Sequence, residues 1–281
     1  MSYAITYLAL GAGVDSTAVY LMSNLGLHGC PRADLAIFAD TWDEPGFVME
    51  HLWWLASWAE ANGGIPIHVA TRGGLLASNE RNIRRGSPNG AQPPLFVLTV
   101  EEEATLFGVE SKRTDGQMRR SCTRDFKIRV CQAYLRHFLG IRAFRAGGPR
   151  VLGLVGVAAD EMERVAPSRE PWCDLAYPSV DAGLKRRDEE ALIRAHGWPV
   201  PKKSACVYCP YHGDDYWRML RRDYPHEFAR ACAADEALRR LPKMRGETFV
   251  HRSRLPLAQA DFGDARDAFG SACAPGAGCG S

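Results

Sequence analysis

Leu8-Ala9-Leu10-Gly11-Ala12-Gly13-Val14-Asp15-Ser16-Thr17 is the stretch on which the fold turns. Before it, Ala4 to Leu10 is a short apolar run with the length of a buried strand. After it, Ser16 to Leu25 carries Ala18, Val19, Leu21, Met22 and Leu25 near a 3.6-residue period, which predicts a helix. Between the two, Gly11, Ala12 and Gly13 let the backbone turn sharply and come close to a ligand. Asp15, Ser16 and Thr17 then fall at a helix N-terminus, where unbonded N–H groups and the helix dipole attract phosphate. The spacing is not that of a Walker loop, which needs a Lys after its second Gly. Nor is it Gly-x-Gly-x-x-Gly, because Ser16 stands where the last Gly would be.

Outward from this turn, the same alternation repeats. Leu35 to Ala39 is a second apolar run and ends in Asp40-Thr41-Trp42-Asp43-Glu44-Pro45. Polar residues where a parallel strand ends line the ligand crevice of an open α/β sheet. Met49 to Glu60 reads as a helix with Leu52, Leu55, Ala56 and Ala59 on its apolar stripe, broadened into the core by Trp53, Trp54 and Trp58. Asn62-Gly63-Gly64 stops it, and Pro66 to Ala70 is a third strand. Arg150 to Val157 is a later buried strand that runs into Asp160-Glu161-Met162-Glu163-Arg164. The expected fold class is therefore α/β: an open, mostly parallel sheet with helices on both faces.

Residues 84 to 95, rich in Gly, Pro, Asn and Ser, predict a long loop of the kind that forms active-site elements. A helix is expected from Arg124 to Leu139, and a polar one from Leu184 to His196. Two more helical patterns, Trp217 to Arg222 and Glu227 to Leu241, suggest a small helical C-terminal region. The sequence thus divides into a nucleotide-binding domain, 1–182, and a cysteine-containing helical region, 183–281.

The 281 residues, 46% apolar and 24% charged, suit a globular protein with a full core. No stretch has the length of a membrane span, and no basic, apolar leader opens the chain, so the expected compartment is the cytoplasm. The overall charge of +2 hides a block: Lys112 to Arg145 holds ten Lys or Arg against two Asp. Such a block suits either a polyphosphate or nucleic acid, or a solvated helix face.

Nine cysteines in a reducing compartment point to thiols, metal ligands or redox groups rather than disulfides. Cys206-Val207-Tyr208-Cys209-Pro210 brings two thiolates to one face of a loop. Further ligands must come from elsewhere. Cys122, in Arg119-Arg120-Ser121-Cys122-Thr123-Arg124, has cations beside it that favour thiolate; Cys131 and His212 are the other neighbours in sequence. Three thiolates would hold an iron–sulfur cluster with one iron open, three plus His212 a closed zinc site, and Cys206 with Cys209 alone a redox pair. Cys30, Cys173 and Cys232 read as small buried hydrophobes. Cys273 and Cys279 lie in a Gly/Ala-rich tail, where a thiol could act as nucleophile or sulfur carrier.

Five motifs in order, Gly11-Ala-Gly-Val-Asp-Ser16, Asp40-Thr-Trp-Asp-Glu-Pro45, Arg119-Arg-Ser-Cys-Thr-Arg124, Gly156-x-x-x-Asp160-Glu161-x-x-Arg164 and Cys206-x-x-Cys209-Pro, resemble the ATP pyrophosphatase (PP-loop) superfamily. Within it, they are similar to the phosphoadenosine-phosphosulfate reductase-like branch, whose fold is of the HUP, adenine nucleotide alpha hydrolase-like type. The resemblance implies that Gly11, Ala12, Gly13, Val14, Asp15, Ser16 and Thr17 cradle the phosphates of ATP with Mg2+. It implies that Ala39, Asp40 and Thr41 border adenine and ribose, and that Gly156, Glu161 and Arg164 complete the nucleotide site. Catalytic roles would fall to Asp15, Arg119, Arg120 and Asp160, and to Cys279 if the tail thiol reacts. Cys122, Cys206 and Cys209 would hold a [4Fe–4S] cluster, or zinc with His212.

The activity so implied is ATP-dependent activation of an acceptor, with release of AMP and pyrophosphate, for transfer of sulfur from a donor. The acceptor could be tRNA, DNA or a small metabolite; no membrane partner is expected. The alternative is reduction of a sulfonucleotide through Cys279, and a third is a zinc- and nucleotide-binding module without catalysis. Three departures bear on the choice. The family's usual Ser-Gly-Gly-x-Asp-Ser has Gly11 and Ala12 in its first two places, so one hydroxyl contact to phosphate is lost and backbone N–H groups must serve. Cys122 is followed by Thr123, and the tail reads Gly278-Cys279-Gly280-Ser281, both unlike the sulfonucleotide reductases.

Overall fold

The computed structural model describes residues 3–105, 108–145 and 147–263. The chain begins with β1 (Ile5–Leu10), α1 (Val14–Leu25), β2 (Leu35–Asp40), α2 (Gly46–Asn62) and β3 (Ile67–Thr71). It continues through α3 (Leu75–Arg84) and the strands β4 (Phe96–Thr105) and β5 (Gly108–Gln117) to α4 (Arg129–Phe138). Then come β6 (Val151–Val155), β7 (Cys173–Ala176), the single turn α5 (Pro178–Asp181) and α6 (Arg186–Ala195). The last elements are α7 (Asp214–Asp223), α8 (Pro225–Ala237) and the short β8 (Glu247–Phe249).

Two compact units result, each assembled from separated segments. One comprises 1–72 with 126–204, the other 73–125 with the chain from 205 onward. The sequence suggested one boundary, at 182/183; the chain instead crosses between units at 72/73, 125/126 and 204/205. The helix α6 stays with the first unit because Ile193 and Trp198 are buried in its core.

In the first unit the sheet order is β3-β2-β1-β6-β7, and every pairing is parallel. A parallel sheet must be covered on both faces, and β2 shows how. Its Ala36 and Phe38 join Leu8, Leu10 and Leu154 against α1, α2 and α6. Its Leu35, Ile37 and Ala39 join Ile5 and Val151 against Val130, Cys131 and Leu135 of α4. Trp54 and Trp58 close on Trp198, with ring centroids 5.5 and 4.5 Å away. Trp53, expected in that stripe, is instead 54% exposed: the apolar arc of α2 is narrower than three tryptophans. Among the described residues, no helix is long and apolar enough to cross a membrane.

The second unit holds an antiparallel sheet, β5-β4-β8, with α3, α7 and α8. Asp235, buried on α8, accepts hydrogen bonds from the N–H groups of Val250 (2.7 Å) and Leu257 (3.0 Å) and pairs with Arg239. That one carboxylate ties the chain after β8 back to α8.

One buried polar contact fixes α1 on α2. Thr17, fully buried, has its Oγ1 3.1 Å from Nε2 of His51, and the imidazole stacks on Trp54 at 6.0 Å. Burial lowers the His51 pKa from about 6.5 to about 4, so the ring is neutral in the fold. Because the folded value lies below the ordinary one, the unfolded chain takes up the proton first as pH falls. Stability is therefore retained above about 6.5 and lost through the window down to about 4. We expect chemical denaturation to show a loss of roughly 2 kcal/mol between pH 7 and pH 5 from this group. In His51→Gln that segment of the pH dependence should flatten; an unaltered slope would show that His51 is not its source.

Candidate phosphate-binding site

The strand order places the reversal of winding beside β1: the chain goes from β1 to β2 and β3 on one side, and to β6 and β7 on the other. In open parallel sheets the crevice at the carboxyl ends of the two strands flanking that reversal is where ligands sit. Here those strands are β1 and β6, followed by Gly11–Gly13 and Gly156 respectively.

The turn after β1 is built by its own atoms. Ala12, fully buried, takes the left-handed conformation with φ of 55°, a strained choice for a residue with a Cβ. Gly13, extended at φ −100° and ψ 179°, is the N-cap of α1 and supplies no side-chain cap. The first-turn N–H groups therefore meet no capping oxygen from that position, which is the arrangement that receives an anion. Ser16 Oγ holds the turn closed, accepting from Gly11 N–H (3.1 Å) and donating to the Gly13 carbonyl (3.2 Å). Thr17 N–H donates to the Gly13 carbonyl at 2.9 Å, and its hydroxyl is taken by His51. Ser16 and Thr17 thus shape the turn from within, and their side chains are not displayed to a ligand. Ser204 also reaches the turn, its hydroxyl donating to the Gly11 carbonyl and its Cβ lying against Gly13. That contact was not visible in the sequence, where Ser204 stands 193 residues from Gly11.

Gly156 is where the two strands' loops meet. A Cβ there would come within 2.5 Å of Ser16 N and 2.6 Å of Asp15 C, both backbone atoms. Only glycine lets the end of β6 pack so closely on the first turn of α1.

Asp15 faces a cation that the sequence did not single out. Arg186, at the start of α6, places a guanidinium nitrogen 3.0 Å from one Asp15 carboxylate oxygen and 3.2 Å from the other. The same nitrogen lies 3.8 Å from Glu161, which also pairs with Arg164. The backbone N–H of Arg186 donates to Asp160 Oδ1 at 3.1 Å. Asp15, Gly156, Asp160, Glu161 and Arg164 are thus brought together, with Arg186 as their hub. Half-exposed pairs of this kind contribute only about 1 kcal/mol each, so their role is placement more than stability.

Behind Asp15 stands Glu189, also missed. It is 0% exposed, and burial together with the adjacent Asp15 carboxylate pushes its pKa up to about 8; Ser179 and Arg186 oppose that shift. Its setting in Arg186-Arg-Asp-Glu-Glu190 reads as a solvated helix face, so nothing in the local sequence marks it.

At the end of β2, Asp40 Oδ1 accepts from Trp42 N–H at 2.7 Å, and Thr71 of β3 donates to the Asp40 carbonyl at 2.9 Å. Ala39 and Thr41 are buried. Trp42 is 60% exposed and left-handed at φ 63°, a bulky residue held in a strained turn on the ligand side of the sheet.

The remaining expected residues belong to the second unit. Arg119 and Arg120 are exposed, and Arg120 lies over the ring of Tyr211 at 5.4 Å. That contact sets the segment carrying Cys122 beside the Cys206–Tyr211 turn. The turn itself is closed by Cys209 N–H donating to the Cys206 carbonyl (2.9 Å) and anchored by buried Val207 and Tyr208. His212 is buried, stacks on Tyr216 at 3.6 Å and donates from Nε2 to the Cys206 carbonyl at 2.9 Å, so it braces the turn. Cys122, Cys206 and Cys209 are half-buried thiols, soft donors of the kind a cluster or zinc needs. Among the described residues, however, no group of three or more His, Cys, Asp or Glu side chains is gathered as a metal site. Cys131, on α4 of the first unit, is packed in the core with Ile37 and Val151, and burial pushes its thiol up to about 12. Cys273 and Cys279 lie outside the described residues.

No protein-family model matches the chain, and no curated protein matches it.

The close approach at Gly156 makes a definite demand. Gly156→Ala should displace the first turn of α1, costing about 2 kcal/mol in urea denaturation and abolishing nucleotide binding. A variant with wild-type stability would show that β6 and α1 do not meet as described.

Proposed function

We propose that the first unit binds ATP at the Gly11–Thr17 turn and that the protein is an adenylating enzyme of the PP-loop kind. The observation that carries this reading is the turn itself: a side-chain-uncapped helix N-terminus, at the reversal point of a parallel sheet, with Gly156 beside it and Arg186 on Asp15.

In that reaction the Mg2+ complex of ATP rests its β- and γ-phosphates on the N–H groups of the turn. An acceptor oxygen attacks the α-phosphorus, the bond from that phosphorus to the bridging oxygen breaks, and pyrophosphate leaves with the bond's electrons. A nucleophile then displaces AMP from the activated acceptor. The developing charge on pyrophosphate falls to the amides of the turn and to the Arg186 guanidinium, both preorganised before the nucleotide arrives. Asp40 and Trp42, at the end of β2, border the nucleoside. Arg119 and Arg120 remain in the reading as cations flanking Cys122.

The incoming nucleophile is read as sulfur. Cys122, Cys206 and Cys209 are the residues that would hold a [4Fe–4S] cluster, or a zinc ion with His212; a cluster on three thiolates supplies an iron that can carry sulfide. The nucleotide steps do not depend on that group. The acceptor belongs to one of three classes: tRNA, DNA or a small metabolite.

Incubating the anaerobically purified protein with ATP, Mg2+ and bulk RNA, DNA or metabolite fractions should release AMP and pyrophosphate in equal amounts. Asp15→Ala should lower that release at least a hundredfold, the scale on which losing a group that organises the phosphate site is felt. Sulfite release from adenylyl sulfate with a thiol donor, and no pyrophosphate from ATP, would instead make the protein a sulfonucleotide reductase.

A further inference from the structure

We propose that Glu189 is a positioning residue of the phosphate turn: it stands behind Asp15 as the neutral acid and donates its proton to the Asp15 carboxylate. The proposal rests on the reading of Gly11–Thr17 as the phosphate site, and it names what holds that site's carboxylate in place.

The geometry leaves few alternatives. Glu189 is completely buried on α6, one turn after Arg186. Among the described residues, no N–H or O–H donates to either of its carboxyl oxygens, yet both are sealed from water. At the start of α1, Asp15 Oδ1 is likewise buried without a hydrogen-bond donor, and Asp15 is the acid whose charge acts on Glu189; two neighbouring carboxyl groups can share a hydrogen bond only if one of them keeps its proton. Asp15 has the guanidinium of Arg186 on its other side, at 3.0 Å, so the charge resides on Asp15 and the proton on Glu189. The other groups around this pair come from α6 itself and from two further places. Ser179 of α5 is fully buried beside Glu189. Arg186 belongs to α6, and Glu161 and Asp160, from the turn after β6, contact Arg186 rather than Glu189.

The consequence is a carboxylate held by two partners, Arg186 and Glu189, before any nucleotide binds. The pKa of about 8 sets the window in which this arrangement fails. Below it the pair holds one proton; above it Glu189 ionises, the two carboxylates repel, and Asp15 leaves the position that Arg186 shares.

The test has two arms on the full-length protein. In the first, infrared spectroscopy of the nucleotide-free protein in D2O at pD 7 should show the carbonyl stretch of a protonated carboxyl group, titrating away near pH 8 and missing from Glu189→Gln. In the second, ATP affinity is measured from pH 6.5 to 9.5. Wild type should weaken about fivefold between pH 8 and pH 9, whereas Glu189→Gln, whose amide donates at every pH, should not show that fall. Circular dichroism melts check that the variant folds, and Glu189→Asp serves if it does not, since its shorter acid should shift the midpoint of the fall. A missing carboxyl band, or identical pH profiles in wild type and both variants, overturns the proposal even if ATP binds. A band that titrates as described in a protein that does not bind ATP upholds the proton-sharing pair and refutes the nucleotide reading instead.

Discussion

Everything in the first unit depends on a contact between two pieces of backbone. The end of β6 at Gly156 lies against the backbone of Asp15 and Ser16, at a separation that excludes any side chain. This contact fixes the first turn of α1 relative to the sheet, and so fixes where its N–H groups point. The polar groups around it are arranged to match. Ser16 closes the turn from inside, Ser204 braces it from the later chain, and Arg186 holds Asp15 against it. None of these is a strong interaction alone. Their effect is a fixed first turn of α1 whose N-cap, Gly13, supplies no side-chain acceptor.

The core supports this geometry by burying both faces of the sheet. The alternation along β2 sends Ala36 and Phe38 to one side and Leu35, Ile37 and Ala39 to the other, so a one-residue slip would disrupt both layers together. His51 and Thr17 then tie α1 to α2 through a neutral imidazole. The consequence is that the carboxyl end of the sheet is held by packing, while the charged groups at its rim are held by hydrogen bonds and ion pairs.

Much of this was legible in the residues, and the parts that were not share a cause. The β1–turn–α1 unit, the strands at 35, 67 and 151, and the polar ends after β2 and β6 all follow from short apolar runs broken by small or charged residues. The hairpin of β4 and β5 did not, because both strands carry charge where an alternating strand would carry apolar residues. Glu101 and Glu102 pair with Lys112 and Ser111, and all four are exposed. Arg186 and Glu189 were hidden in a stretch of six charged residues, 185–190, where burial is decided by which face of α6 meets α1 rather than by local pattern. Ser204 lay beyond reach for the same reason. Trp53 failed in the opposite sense: an apolar residue type was read as core, yet the helix turns it to solvent. The β1–turn–α1 unit and the polar strand ends around it were thus visible in outline, and their hydrogen-bonding frame and charged hub were not.

The central claim is that the Gly11–Thr17 turn receives the phosphates of a nucleotide, and amide hydrogen exchange tests it most directly. Exchange would be followed at peptide resolution in the intact protein, with and without ATP and Mg2+. The account predicts slowed exchange in peptides covering 11–17 and 156–161, with the same peptides unaffected by ATP in Asp15→Ala. Slowed exchange confined to other segments, with 11–17 exchanging as in the free protein, would contradict it.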